Sequence, residues 1–166
     1  MRLLPGTYTV FMADAIKPEQ TVKPLTVDEE AFLRALGRVT ATLSRAVDAD
    51  MLMEQPISGT EYTVLVHLSE APDAQLRMSD LANTCGMSVS GMTRVVTRLE
   101  SQSLVLRKRC PNDGRGWLAS LTTAGRTRLE QAWPTNLASV RRHVFSRLEG
   151  CDIAAAARVL ERIAPR

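Results

Sequence analysis

From Val27 onward, apolar side chains recur at helical spacing. Phe32, Leu36, Val39, Leu43 and Val47 step by four and three residues, the stripe of a long amphipathic helix. Thr26 ahead of Asp28, Glu29 and Glu30 supplies a cap and an acidic first turn, and Pro56 predicts an end near Glu54. Ser58 with Glu61 three residues on fits a capping box that opens a shorter helix through Tyr62, Leu65 and Leu68, closed by Ala71-Pro72-Asp73. A two-turn helix follows, with Ser79 as its predicted N-cap, and Gly86 permits the turn that redirects the chain. Ser88 then caps a helix running to Gln102. Its apolar face is Val89, Met92, Val95, Val96 and Leu99, and its other face is Ser90, Gly91, Thr93, Arg94, Thr97 and Arg98.

Beyond Ser103 the period changes. Leu104 to Arg109 reads as a short basic strand, Cys110 to Gly116 as a hairpin tip rich in Asn, Asp and Gly, and Trp117 to Leu121 as the returning strand, with Trp117, Ala119 and Leu121 on one face. Thr122 or Thr123 caps a long helix whose stripe is Leu129, Trp133, Leu137, Val140, Val144 and Leu148. Pro134 falls inside that stripe and predicts a kink or a break. After Gly150, Asp152 caps a terminal helix carrying Ile153, Ala156, Leu160 and Ile163. Residues 1–26, with four prolines or glycines and little periodicity, read as an extended arm or partly disordered leader. The expected organisation is therefore an arm (1–26), a first long helix (27–55), a helix-turn-helix with a hairpin wing (56–123) and C-terminal helices (124–166). The fold class is mainly α.

Composition sharpens this. With 45% apolar residues but only 4% aromatic, the 166-residue chain can bury one ordinary core, packed largely from aliphatic side chains. The net charge of +3 is modest, but its distribution is not. From Arg77 to Arg115 seven basic residues (Arg77, Arg94, Arg98, Arg107, Lys108, Arg109 and Arg115) stand against three acidic ones (Asp80, Glu100 and Asp113), or +4. The remainder sums to −1, so the positive field concentrates where phosphate binding would need it. Three widely spaced cysteines make neither a disulfide framework nor a zinc pair, and a reducing cytoplasm is the simplest setting. Pro5, Gly6 and Asp14 interrupt any signal-peptide core, and no run reaches the length of a membrane span.

A helix enters the major groove of DNA when its outward face lacks bulk and offers donors. Ser88, Ser90, Gly91, Thr93, Arg94 and Arg98 meet that description, and either Arg94 or Arg98 has the fork geometry for guanine or phosphate. On the wing, Lys108 and Arg109 lead to the tip, where Arg115 is long enough to reach a minor groove and Asp113 stands ready to brace its guanidinium. Neighbouring cations at Cys110 would favour thiolate, which makes it the candidate for a redox switch. Neither His67 nor His143 has ligand spacing for a metal. No nucleophile elbow, phosphate loop or zinc-protease motif is present, so catalysis, cofactor and metal are not expected.

The string Asp113-Gly114-Arg115-Gly116-Trp117-Leu118-Ala119-Ser120-Leu121-Thr122, followed by Thr123-Ala124-Gly125, resembles the DxR…LTxxG wing signature of MarR-type winged-helix regulators. Leu81-Ala82, Val95-Val96-Thr97-Arg98-Leu99-Glu100 and Leu104-Val105 are similar to that family's helix-turn-helix. The resemblance implies a homodimer joined through its first and last helices and bound to a pseudo-palindromic operator on double-stranded DNA, usually as a repressor. The recognition helix would lie in the major groove and Arg115 in the minor groove. It also implies a small aromatic or phenolic effector near the dimer helices, for which His67 and Arg38 are the candidate ligand residues. Gly116 and Ser103 depart from the family pattern, which more often has a charged residue and Gly there, and the leader is long. Peroxide-sensing members carry their cysteine near the start of the first long helix, where this chain has none. Two alternatives stay open: a winged-helix protein-interaction module that does not read DNA, and a thiol-based redox sensor acting through Cys110.

Overall fold

The computed structural model describes residues 22–110 and 113–163, with backbone alone for 113–115. Most of the N-terminal arm therefore lies outside the described residues. The elements are α1 (Val27–Glu54), α2 (Gly59–Glu70), a short 3-10 turn, β1 (Gln75–Arg77), α3 (Met78–Thr84), α4 (Val89–Ser101), β2 (Val105–Cys110), β3 (Asp113–Leu121), α5 (Thr123–His143), a second 3-10 turn and α6 (Ile153–Ile163). Two compact units divide inside α1, one through Thr42 and the other from Leu43 onward. In the first, Thr26 forms a capping box with Glu29, and Glu30 pairs with Arg34 at 2.6 Å one turn on.

The second unit holds the core. Met51 from the end of α1, Ile57, Leu65 and Leu68 of α2, and Leu81 of α3 pack with Met92, Val96 and Leu99 of α4 and with Val105 and Ala119 of the sheet, all fully buried. Burial of each of these side chains larger than alanine contributes about 1.5–3 kcal/mol. Local chemistry explains most of the boundaries. Ser58 and Glu61 close the capping box reciprocally, the Glu61 amide donating to Ser58 Oγ at 3.1 Å and the Ser58 amide to Glu61 Oε2 at 2.8 Å. Helices α3 and α4 both end in Schellman motifs. Gly86 (φ 62°) closes the first, with Met87 N–H on the Ala82 carbonyl. Ser103 (φ 60°) closes the second, with Leu104 N–H on the Leu99 carbonyl.

Four expectations need correction. Ser79 does not cap α3: the helix starts at Met78 directly from β1, its N-cap position is Arg77, and the Ser79 hydroxyl bonds Asp80 instead. Val89 is exposed rather than part of the buried face of α4, because it is the first helical residue and lies beyond the core at the helix's open end. Of the kink or break expected at Pro134, the break does not occur: α5 runs through it as one element, since proline removes a single N–H while Ala132, Thr135 and Ser139 on either side are buried. Those small residues, rather than the Trp133–Leu137 stripe, form the buried face of α5. The third strand, β1, was not expected at all. It pairs antiparallel with β3 (Leu76 opposite Ala119), giving the sheet order β1-β3-β2.

Along α5 the hydroxyls fasten the end of α1. Thr135 Oγ1 donates to Glu54 and accepts from Gln55, and Ser139 Oγ donates to Asp50 Oδ2 at 2.7 Å. His143 Nε2 sits 2.9 Å from the same Asp50 oxygen, and Arg142 lies 3.3 Å from the carboxylate. The Ser139 hydrogen bond above all, then His143 and Arg142, hold the Asp50 carboxyl below its ordinary range.

Candidate nucleic-acid interface and adjoining cavity

The candidate recognition face is built on α4. Ser88 Oγ accepts from the Gly91 amide at 3.1 Å and lies 3.2 Å from Ser90 Oγ, so the first turn is held by its own side chains while Ser88 and Ser90 stay exposed. Gly91 is half-buried, and a Cβ there would lie 3.2 Å from Ser88 Oγ. Thr93 bonds the Val89 carbonyl at 2.8 Å and is half-buried, and Arg94 is exposed on the same helix.

Arg98 is differently placed. Its Nε lies 3.0 Å from Glu61 Oε1, in an ion pair whose acidic side chain is 2% exposed and whose basic one is 65% exposed. That oxygen has no well-aligned hydrogen bond, so the contact is close but off the N–H axis. The second oxygen of Glu61 serves the α2 capping box. One buried carboxylate thus links the start of α2 to the recognition helix, an arrangement invisible to local sequence patterns because 37 residues separate the partners.

The wing is fastened to the same helix. Glu100 accepts from the Arg107 amide at 3.2 Å and from Arg107 Nε at 2.8 Å, and the Arg107 hydrogen bonds hold its carboxyl below the ordinary range. Arg109 stacks over Trp117 with 4.4 Å between guanidinium carbon and ring centroid, and Lys108, the preceding residue of β2, is exposed. A groove of about 400 Å³ between β1, α4 and the wing is lined by Arg77, Ser79, Thr93, Arg107 and Trp117, among others. The side chains of Asp113 and Arg115 lie outside the described residues, so the proposed brace between them does too. Cys110 is buried at a β-bulge, where the register shifts between Arg109 and Cys110.

The end of the wing is locked to the end of the recognition helix. Thr122 Oγ1 donates to the Ser103 and Leu104 carbonyls at 2.8 and 3.0 Å, accepts the Gly125 amide at 2.9 Å, and so caps α5. A Cβ on Gly125 would run into the Leu104 carbonyl oxygen and Leu121. The Leu121-Thr122-x-x-Gly125 pattern is thus a structural clamp.

Behind α2 the second unit contains a cavity of about 730 Å³. Val47, Tyr62, Val66, Met87, Trp133 and Val140 supply its apolar wall, and His67 and Cys85 also line it. Burial pushes the Cys85 thiol and the Tyr62 phenol up. Arg38 is an exposed residue of the first unit. Among the described residues no cluster of three or more His, Cys, Asp or Glu is arranged to hold a metal, and no helix is long and apolar enough to cross a membrane.

Residues 55–116 match the model of the MarR family. The fold superimposes on AbsC, a MarR family transcriptional regulator from Streptomyces coelicolor, with a TM-score of 0.73 and 32% identity over 86% of this chain and 95% of AbsC. The chain belongs to the MarR family. Another MarR regulator from Streptomyces coelicolor, Sco3205, crystallised in complex with DNA, shares 29% identity over 86% of this chain and 89% of its own, with a TM-score of 0.76. The HTH-type transcriptional regulator YdgJ of Bacillus subtilis is 36% identical over 70 residues, 42% of this chain and 40% of that relative's length. The MarR family match falls on the helix-turn-helix and wing, the segment that carries Ser88, Ser90, Gly91, Thr93, Arg94, Lys108 and Arg109.

Proposed function

We propose that this MarR protein is a homodimeric regulator that binds double-stranded DNA at a pseudo-palindromic operator, acts as a repressor of a nearby operon, and is released by a small aromatic effector. The observation that carries the DNA reading is α4: an exposed face of Ser88, Ser90 and Arg94, capped at its start and ending in a wing that bears Lys108 and Arg109. In this reading Ser90, Gly91, Thr93 and Arg94 meet base edges. Lys108 and Arg109 meet phosphate, and Arg115, braced by Asp113, enters the minor groove. Arg98 contributes through its exposed end while Glu61 sets its position. The DNA complex of Sco3205 supports the same reading.

Dimerisation is supported by α6, where Ile153, Val159, Leu160 and Ile163 are exposed and no residue is buried. A helix of eleven residues is marginal in water without a covered apolar face, so a second copy is its natural cover. Regions 27–55 and 124–166 are then the dimerisation segments and 56–123 the DNA-binding region. Release by an effector is supported by the cavity beside α2, with His67 in its wall.

Gel-shift titration against the gene's own upstream region tests the proposal. The expected outcome is specific binding that weakens steeply with salt, and Arg115→Ala should lose about 1–3 kcal/mol of it. Binding indifferent to sequence at every salt concentration rejects the operator, and unchanged affinity of the variant removes Arg115 from the contact.

A further inference from the structure

The cavity beside α2 has a chemical signature more specific than its size. At about 730 Å³ it falls in the range of small-molecule sites. Among its described lining residues there is no Lys and no Arg, and the sole carboxylate is Asp48. Asp48 Oδ1 accepts the Thr60 amide at 3.0 Å, which leaves most of the carboxylate's acceptor positions for another donor. The aromatic residues Tyr62 and Trp133 line the same space, and the buried Tyr62 hydroxyl has no hydrogen-bond partner among the described residues. The remaining titratable wall groups are His67 and Cys85.

An anionic ligand would enter this wall beside a carboxylate with no fixed cation to meet it, and would carry the full cost of desolvating its charge. A cationic ligand meets the reverse situation. Its ammonium donates a charge-assisted hydrogen bond to Asp48, and its ring and charge can both use Trp133 and Tyr62. We infer that the cavity takes an aromatic amine in its cationic form, with Asp48 as counter-ion and Trp133 and Tyr62 as the aromatic walls.

The inference rests on the reading of this protein as effector-responsive and names the chemistry of that effector. It also supplies a route. Asp48 holds the amide of Thr60, and the next residue, Glu61, is the one that pairs with Arg98 of the recognition helix. An ammonium that draws on Asp48 therefore acts on the turn that positions Glu61.

Calorimetric titration of the full chain with naphthylethylamine, naphthylethanol and naphthylacetate tests the ligand class without DNA. The amine should bind about tenfold or more tighter than the carboxylate, with the alcohol between them. Asp48→Asn keeps an acceptor for Thr60 and should bring the amine down to the alcohol. Thr63→Lys, at an exposed wall position, should turn the preference towards the carboxylate without touching Asp48. Equal or tighter carboxylate binding in the wild type, binding of none of the three, or an amine advantage that survives Asp48→Asn overturns the inference. A separate gel shift with the amine reads regulation: an amine that binds but leaves DNA affinity unchanged rejects effector release and leaves the cavity assignment standing.

Discussion

Gly125 and Ser103 sit at the two ends of one clamp, and each has a backbone reason to be small. The first turn of α5 lies so close to the Leu104 carbonyl that any side chain at Gly125 meets backbone, which cannot swing aside. Gly125→Ala is therefore expected to cost about 1–3 kcal/mol, as overpacking does. Urea unfolding should show a lower midpoint at an unchanged slope. Ser103 has the opposite problem: it occupies a left-handed position (φ 60°) that glycine adopts freely. Ser103→Gly should stabilise by roughly 0.5 kcal/mol, the relief of left-handed strain less the entropy glycine adds to the unfolded chain. A fall in thermal midpoint would show that the serine makes a compensating contact. At this scale the sequence was informative wherever the chemistry is local. Ser58 and Ser88 were legible as caps, and Thr122 as one of two adjacent candidates, because a cap and the amide it satisfies lie three residues apart. Ser79 misled because the same residue type satisfies the cap rule without being at the helix boundary.

Between elements, the legible signals thin out. Strand β1 is three residues long and its partner lies more than 40 residues on, so no period announces it. The Glu61–Arg98 pair is likewise a product of packing, and it changes what an Arg98 substitution measures. Arg94→Ala should weaken DNA binding and leave stability alone, whereas Arg98→Ala should affect both. Its stability cost should be about 1 kcal/mol, an exposed arginine's share discounted for solvent. In a double-mutant cycle with Glu61→Gln that cost should largely vanish, and full additivity would dismiss the pair as a coincidence of geometry. The α1–α5 junction has a pH signature. Asp50 is held below its ordinary range chiefly by Ser139, so its folded pKa lies below its unfolded one. Stability from this group is fully present above the unfolded value, about pH 4, and is lost as pH falls through the folded value. Glu100, lowered by Arg107, adds in the same direction. Asp50→Asn should therefore lower stability near neutrality and flatten the acid limb of a stability–pH curve. An acid limb as steep as the wild type's would mean the junction titrates elsewhere.

For the whole molecule, the pattern of apolar residues says more than their number. Of the stripe Leu129, Trp133, Leu137 and Val140 that was legible in the sequence, Leu129 packs against the buried core, but the fully buried face further along α5 is the small one, Ala132, Thr135 and Ser139. Hydrophobic periodicity marks a face that will be covered without saying by what. Here Trp133 and Val140 turn to the cavity and Leu137 to solvent, while α6 keeps its whole apolar stripe in the open. An intrachain partner would have left some residue of α6 buried, and none is. If a second copy provides the cover, Leu160→Glu should lower the dimer fraction in sedimentation at micromolar protein, because a carboxylate inside an apolar interface loses its hydration without a partner. The helix-turn-helix core shares no buried residue with α6, so far-UV helicity of the rest and the core's unfolding midpoint should hold. Operator affinity should drop towards that of a single half-site, since the second half-site no longer binds as part of the same particle. A variant that stays dimeric would move the interface off α6 and onto the exposed apolar residues of α1, Phe32, Leu33 and Val39.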